Sequence, residues 1–219
     1  MIRIKLLVEG QTEEAFVNEL LVAPYANRGI YLTPIIVLTS PGHRGGLVNY
    51  AKVRRQLEKL CREDSDAYIT TLFDLYALPT DFPGKSSPDY PATGNGQQKA
   101  EFLERALEEH IGEQNFFANI LVHEFEALLF TDLNAFAEWT DDDRDLQPLH
   151  AARATLLPED INELPHTAPS KRILAAMPNY QKPVHGPLIA LSIGLDAIRA
   201  ACPHFNRWLE RIESLPART

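Results

Sequence analysis

Apolar positions along the chain change period several times, and each change marks an element. Residues 2–8, IRIKLLV, alternate and then become continuously apolar, the pattern of a strand running into a core. From Thr12, a candidate N-cap, Phe16, Val17, Leu20 and Leu21 recur at helical spacing up to Pro24. Residues 30–39, IYLTPIIVLT, are rich in β-branched side chains and predict a second strand. The turn SPGHRGG follows, and Leu47, Tyr50, Val53, Leu57 and Leu60 then share one helix face. Residues 66–74, DAYITTLFD, predict a third strand that ends in an acid. The order β-α-β-α-β at this spacing predicts a parallel sheet with right-handed crossovers.

Residues 79–98, PTDFPGKSSPDYPATGNGQQ, carry the prolines and glycines of a long loop. A helix over about 99–112 and a fourth strand, FFANILVH over 116–123, come next, the strand running straight into EFEALLFTDLNAF. Residues 140–168 are irregular and include the acidic run TDDDRD, which reads as a solvated loop. The remainder is helical: SKRILAAM, PLIALSIGLDAIRAAC and HFNRWLERIESL. The expected architecture is an α/β core over residues 1–139, including the 79–98 loop, with a helical C-terminal elaboration over 140–219 packed on it.

With 45% hydrophobic and 23% charged residues in 219, the composition is that of a folded globular chain. Cys61 and Cys202 form no CxxC pair and read as reduced thiols, so a cytoplasmic location is expected. No apolar run approaches the roughly 18–20 residues of a membrane span, and no membrane partner is expected. The net charge of −9 argues against binding nucleic acid through bulk electrostatics. Acids gathered to hold divalent cations would, however, leave the loaded site near neutral.

Where the acids fall then matters. Ligands of an open parallel sheet bind beyond the carboxyl ends of its strands. The first strand ends at Glu9, the third at Asp74, and the fourth at His123-Glu124-Phe125-Glu126. Glu13 lies one helical turn beyond Glu9, whereas Glu14 points about 100° away. Singly, each acid has a plain structural reading as a helix-dipole partner or a solvated helix start. Together they would repel one another unless protons or a cation were bound. Oxygen donors of this kind suit Mg2+ or Mn2+ rather than zinc, and one or two such ions on a phosphate suit phosphodiester hydrolysis.

Several stretches carry a resemblance: VEGQTEEAFV (8–17), FDLYALPTDFPGK (73–85), ILVHEFEALLF (120–130), APSKRI (168–173) and CPHFNRWLERI (202–212). The sequence resembles a bacterial domain-of-unknown-function family of the TOPRIM-like superfamily. It is similar to the TOPRIM nucleases of the overcoming-lysogenisation-defect type. The resemblance implies a Rossmann-like sheet, Glu9 in metal binding or acid/base chemistry, Glu13 beside it, and a later acidic motif at Glu124 or Glu126. Of the acidic pair usual in the second motif only Asp74 is present, because Tyr76 stands where the second acid would be. The lysine usual near the scissile phosphate maps onto Lys171 or Lys85. The resemblance also implies an ATPase partner and an anti-phage setting.

Two further signals lie near the same edge. GHRGG (42–46) follows the second strand, so Arg44, Gly45 and Gly46 could hold a phosphate or simply make a turn. Lys85 could track a substrate strand or be a solvated loop lysine, and His123 could be a base, a ligand or a structural residue. The leading expectation is a Mg2+- or Mn2+-dependent nuclease on DNA or RNA. Its rivals are a catalytically weak protein that binds an ATPase and a nucleotide phosphatase or primase-like enzyme. Oligomeric state is left open.

Overall fold

The computed structural model describes residues 1–40, 43, 44, 47, 49–140, 146–162 and 167–218. β1 (Ile2–Val8) pairs in parallel with β2 (Ile30–Ile36) on one side and β5 (Tyr68–Asp74) on the other. β5 in turn pairs with two short strands, β6 (Phe116–Phe117) and β7 (Ile120–Leu121), both parallel to it. A separate antiparallel ribbon joins β3 (Leu38–Ser40) to β4 (His43–Arg44). Pro34 is tolerated in β2 because that strand is an edge, where a missing N–H costs no inner ladder bond. The α/β class, the parallel sheet and the helical C-terminal part are as the residue pattern implied.

Strand periodicity sets the layers. Ile4, Leu6 and Val8 of β1 enter one core, with Phe16, Phe125, Phe205 and Ile212, while Leu7 enters the other. That second core is filled by α3 (Tyr50–Glu63) and α4 (Gly96–Ile111), through Val53, Leu57, Leu103 and Leu107. The first is covered by an N-terminal helix and the C-terminal helices. The N-terminal helix runs as α1 (Gln11–Phe16), a π-helical segment Val17–Leu21 and α2 (Val22–Ala26). The C-terminal set is α5 (Gln147–Arg153), α6 (Pro169–Ala176), α7 (Lys182–Ile193), α8 (Leu195–Ala201) and α9 (Pro203–Ser214). Ile173, Ile189, Ile198 and Leu209 belong to the same hydrophobic cluster as β1, so these helices share their core with the sheet.

Three sequence expectations are corrected. The strand over 116–123 is broken at Ala118-Asn119, because the Thr71 hydroxyl takes the place of a ladder rung. It donates to Asn119 O at 2.8 Å and accepts from Asn119 N at 2.9 Å. The outward amides of this edge are capped too: Ala118 N donates to Glu108 at 2.9 Å and Ile120 N to Glu104 at 2.8 Å. Those two amides are thereby withheld from pairing with another strand. Thr12 is not the N-cap: the first helix starts at Gln11 with Gly10 as N-cap, and Thr12 is buried in its first turn. The long apolar helix expected over 187–202 is two helices, α7 and α8, bent by 87°. Gly194 makes the break at φ +85°, a backbone that side-chain-bearing residues rarely adopt. Among the described residues no single helix is long and apolar enough to cross a membrane.

Candidate functional site

The carboxyl edge of the sheet gathers the acids through the local structure that follows each strand. Val8 pairs with Leu72, which brings Glu9 level with the end of β5; Glu9 Oε2 accepts from Asp74 N at 3.4 Å. Glu13, in the first turn of α1, reaches back so that its Oε2 accepts the Gly10 N–H at 2.9 Å. Asp74 closes β5, and its Oδ1 accepts from Phe125 N at 2.8 Å. Glu124 precedes the 3-10 helix Phe125–Thr131 and accepts from Ser170 N at 2.5 Å and Ser170 Oγ at 3.1 Å. Glu126, in that helix, is fully buried. The notion of a solvated helix start at Glu126 is therefore overturned.

At the focus of these acids is a residue the sequence did not flag. The Lys182 ammonium lies 3.0 Å from Asp74 Oδ2, 3.0 Å from Glu126 Oε2 and 3.6 Å from Glu13 Oε1. It also lies 5.9 Å from the Phe125 ring centroid. Lys182 begins α7, and Gly186, one turn later on the same face, lets that helix approach. A Cβ at 186 would stand 2.9 Å from the Phe125 ring and 3.1 Å from Tyr180 Oη. The helical stretch expected from the sequence begins at Pro187 and so leaves Lys182 outside it. Pro187 is instead inside α7, where the helix begins at Lys182 with Pro183 in its first turn.

One ammonium against five carboxylates leaves an excess of negative charge, and the acids respond. Glu9 is pushed up to about 8, first by burial and then by the charges of Asp74 and Glu13. Burial, then Asp74, pushes Glu13 up to about 7. Glu126 rises to about 7, chiefly by burial, against the opposing pull of Lys182. Glu124 is raised by burial despite its Ser170 donors. Lys182 is held charged, its burial outweighed by Asp74, Glu126 and Glu13. Glu126 Oε1 has no hydrogen-bond partner, and nor does the buried hydroxyl of Tyr180.

Other expected site residues lie elsewhere. Lys171 is exposed on α6 and makes no ion pair with these acids. Lys85 donates to Leu78 O at 2.5 Å within the long loop, and burial lowers its pKa. Lys182 is the lysine that reaches the acids. The Arg44 side chain, Gly45 and Gly46 lie outside the described residues. Glu14 is half-buried and joins nothing in the cluster.

Five strand-end and helix-start carboxylates thus gather at the carboxyl edge of a parallel α/β sheet, three of them paired with one lysine. The chain belongs to the domain-of-unknown-function family DUF4276, whose profile matches residues 8–213. No curated protein matches it. Two solved structures of the C-terminal region of the Xanthomonas campestris pv. campestris OLD protein are similar at 17% identity. The one phased with mercury covers 97% of this chain and 98% of that one with a TM-score of 0.43. The one phased with iodine covers 98% and 99%, with a TM-score of 0.41. At that distance neither tells what this chain does.

Proposed function

We propose that the chain is a TOPRIM-like phosphodiesterase that cleaves nucleic acid with the help of Mg2+ or Mn2+ held by Glu9, Glu13, Asp74, Glu124 and Glu126. One observation carries the reading: a fully buried Glu126 with an unpartnered Oε1 belongs to a group of five carboxylates of which three, Glu13, Asp74 and Glu126, share a single ammonium. Donor type and charge fit a hard divalent cation. The spacing is that of a site closed on lysine. Among the described residues no three His, Cys, Asp or Glu side chains stand close enough together to hold a metal ion. Accommodating an ion therefore requires Lys182 to swing away from Asp74 and Glu126.

When bound, the metal would supply an activated water and neutralise charge at the phosphate. Lys182, once released from the carboxylates, would supply an ammonium that can donate to a phosphate oxygen as charge develops. Glu9, on the rim and less buried than Glu13 or Glu126, is the acid best placed to take a proton from water. Asp74 is fixed by Phe125 N and orients the group it holds.

A cleavage assay on single-stranded DNA, duplex DNA and RNA with Mn2+ tests this. Glu9→Gln and Asp74→Asn are expected to lose activity by at least about a hundredfold, the scale of losing a charged catalytic contact. Variants as active as the parent would show that the site is assigned wrongly. The same closed spacing favours a second reading, a catalytically weak protein that binds an ATPase partner, for which Mn2+ would promote no cleavage.

A further inference from the structure

Tyr76 stands where the resemblance leads one to expect a second acid, and its surroundings are built. The β5–β7 pairing ends at Asp74 and Leu121, and two residues further Tyr76 N donates to His123 O at 3.0 Å. Tyr76 lies in the short 3-10 turn Leu75–Ala77 for which Asp74 is the N-cap, two residues along the chain from that carboxylate. Its hydroxyl is bonded to Asn162 Nδ2, which also lies 3.1 Å from His123 Nδ1. The Tyr76 and His123 rings pack in a tilted contact, with centroids 6.1 Å apart and planes at 39°. His123 is the one described non-glycine residue with positive φ, at +67°, a conformation retained at a cost. Its ring is held from behind by Gly96, where a Cβ would lie 2.6 Å from His123 Cε1. Tyr76 is 44% exposed although its hydroxyl, its amide and its contact with His123 are all fixed.

We infer that Tyr76, held against His123, is a stacking platform for an unpaired nucleobase next to the phosphate held at the acid cluster, which makes single-stranded nucleic acid the preferred substrate. The inference rests on the proposed activity for its phosphate. Aromatic rings accept any base face, so the platform selects for unpaired strands rather than for sequence. In a duplex each base is already stacked and paired, and presenting one to Tyr76 would require extruding it.

Two measurements separate this inference from the activity it rests on. The first is equilibrium binding of a fluorescent single-stranded oligonucleotide in Ca2+, without turnover. Tyr76→Ala is expected to weaken binding about tenfold to a hundredfold, and Tyr76→Phe to restore it to within about threefold of the parent. The second is the ratio of kcat/KM on the single strand to kcat/KM on bis(p-nitrophenyl) phosphate, which has no base to stack. Tyr76→Ala is expected to lower that ratio about tenfold or more. A parent that binds the strand through Tyr76 but cleaves nothing would refute the hydrolase and keep the platform. A parent that does not bind the strand, or a Tyr76→Ala variant that binds it as the parent does, would overturn the platform.

Discussion

Replacing Lys182 by Met removes the ammonium facing Asp74, Glu126 and Glu13 and keeps the length of the side chain. Taking one partner from a buried charged group usually costs about 3–5 kcal/mol. Here the loss is capped, because the acids left behind can take up a proton. An acid already at about 7, such as Glu13 or Glu126, needs only about 1 kcal/mol to stay protonated near neutral pH. Lys182 is also 32% exposed, which weakens its pull further. The net cost is therefore about 2 kcal/mol, or a fall in Tm of roughly 4–8 °C for a chain of this size.

The pH dependence gives the prediction its sign. Glu9, Glu13 and Glu126 sit above their ordinary value of 4.5, at about 8, 7 and 7, so the folded chain binds more protons than the unfolded chain in that window. Stability from these acids is complete below 4.5 and is lost as pH rises through 7 and 8. The Lys182→Met deficit should therefore be small at acid pH and grow into the alkaline range. Differential scanning fluorimetry across pH reads it directly. A variant as stable as the parent at alkaline pH, or equally destabilised at every pH, would refute the reasoning.

Other perturbations test the frame that positions the site. Thr71→Val leaves both Asn119 N and Asn119 O without the hydroxyl, and should cost about 2–4 kcal/mol by chemical denaturation, with no change in metal response. Glu213 accepts from Arg199 at 2.6 Å, Arg28 at 2.6 Å and Tyr25 at 2.9 Å, tying α9 to the first helix. Partial burial raises it, but those donors outweigh burial and bring it down to about 2. Its stabilisation is present above 4.5 and lost as pH falls toward 2. Glu213→Gln should lower stability by about 2 kcal/mol near neutral pH and flatten the acid limb of the denaturation curve.

Strand ends were legible because the apolar runs of β1 and β5 each stop at an acid, and the sheet rule then places Glu9 and Asp74 on one edge. Glu126 was legible as a candidate but not as a buried group, since one acid in a helix start looks the same whether water or protein covers it. Lys182 was not legible at all. It approaches the acids from 108 residues beyond Asp74, across a helix packing that depends on Gly186, and an internal proline disguised the start of that helix. The break in the fourth strand was equally hidden, because Thr71 replaces the ladder from the neighbouring strand.

The central claim is that the acid cluster is a divalent-cation site closed on Lys182 until the cation arrives. Calorimetric titration with Mn2+ near neutral pH, repeated in buffers of different ionisation enthalpy, tests it most directly. Glu9, Glu13 and Glu126 must shed protons to bind a metal, so the account predicts saturable binding with proton release. Glu126→Gln is expected to weaken that binding about tenfold or more, and Lys182→Met to strengthen it. Absence of Mn2+ binding at millimolar concentration, or binding without proton release that Glu126→Gln does not alter, would contradict it.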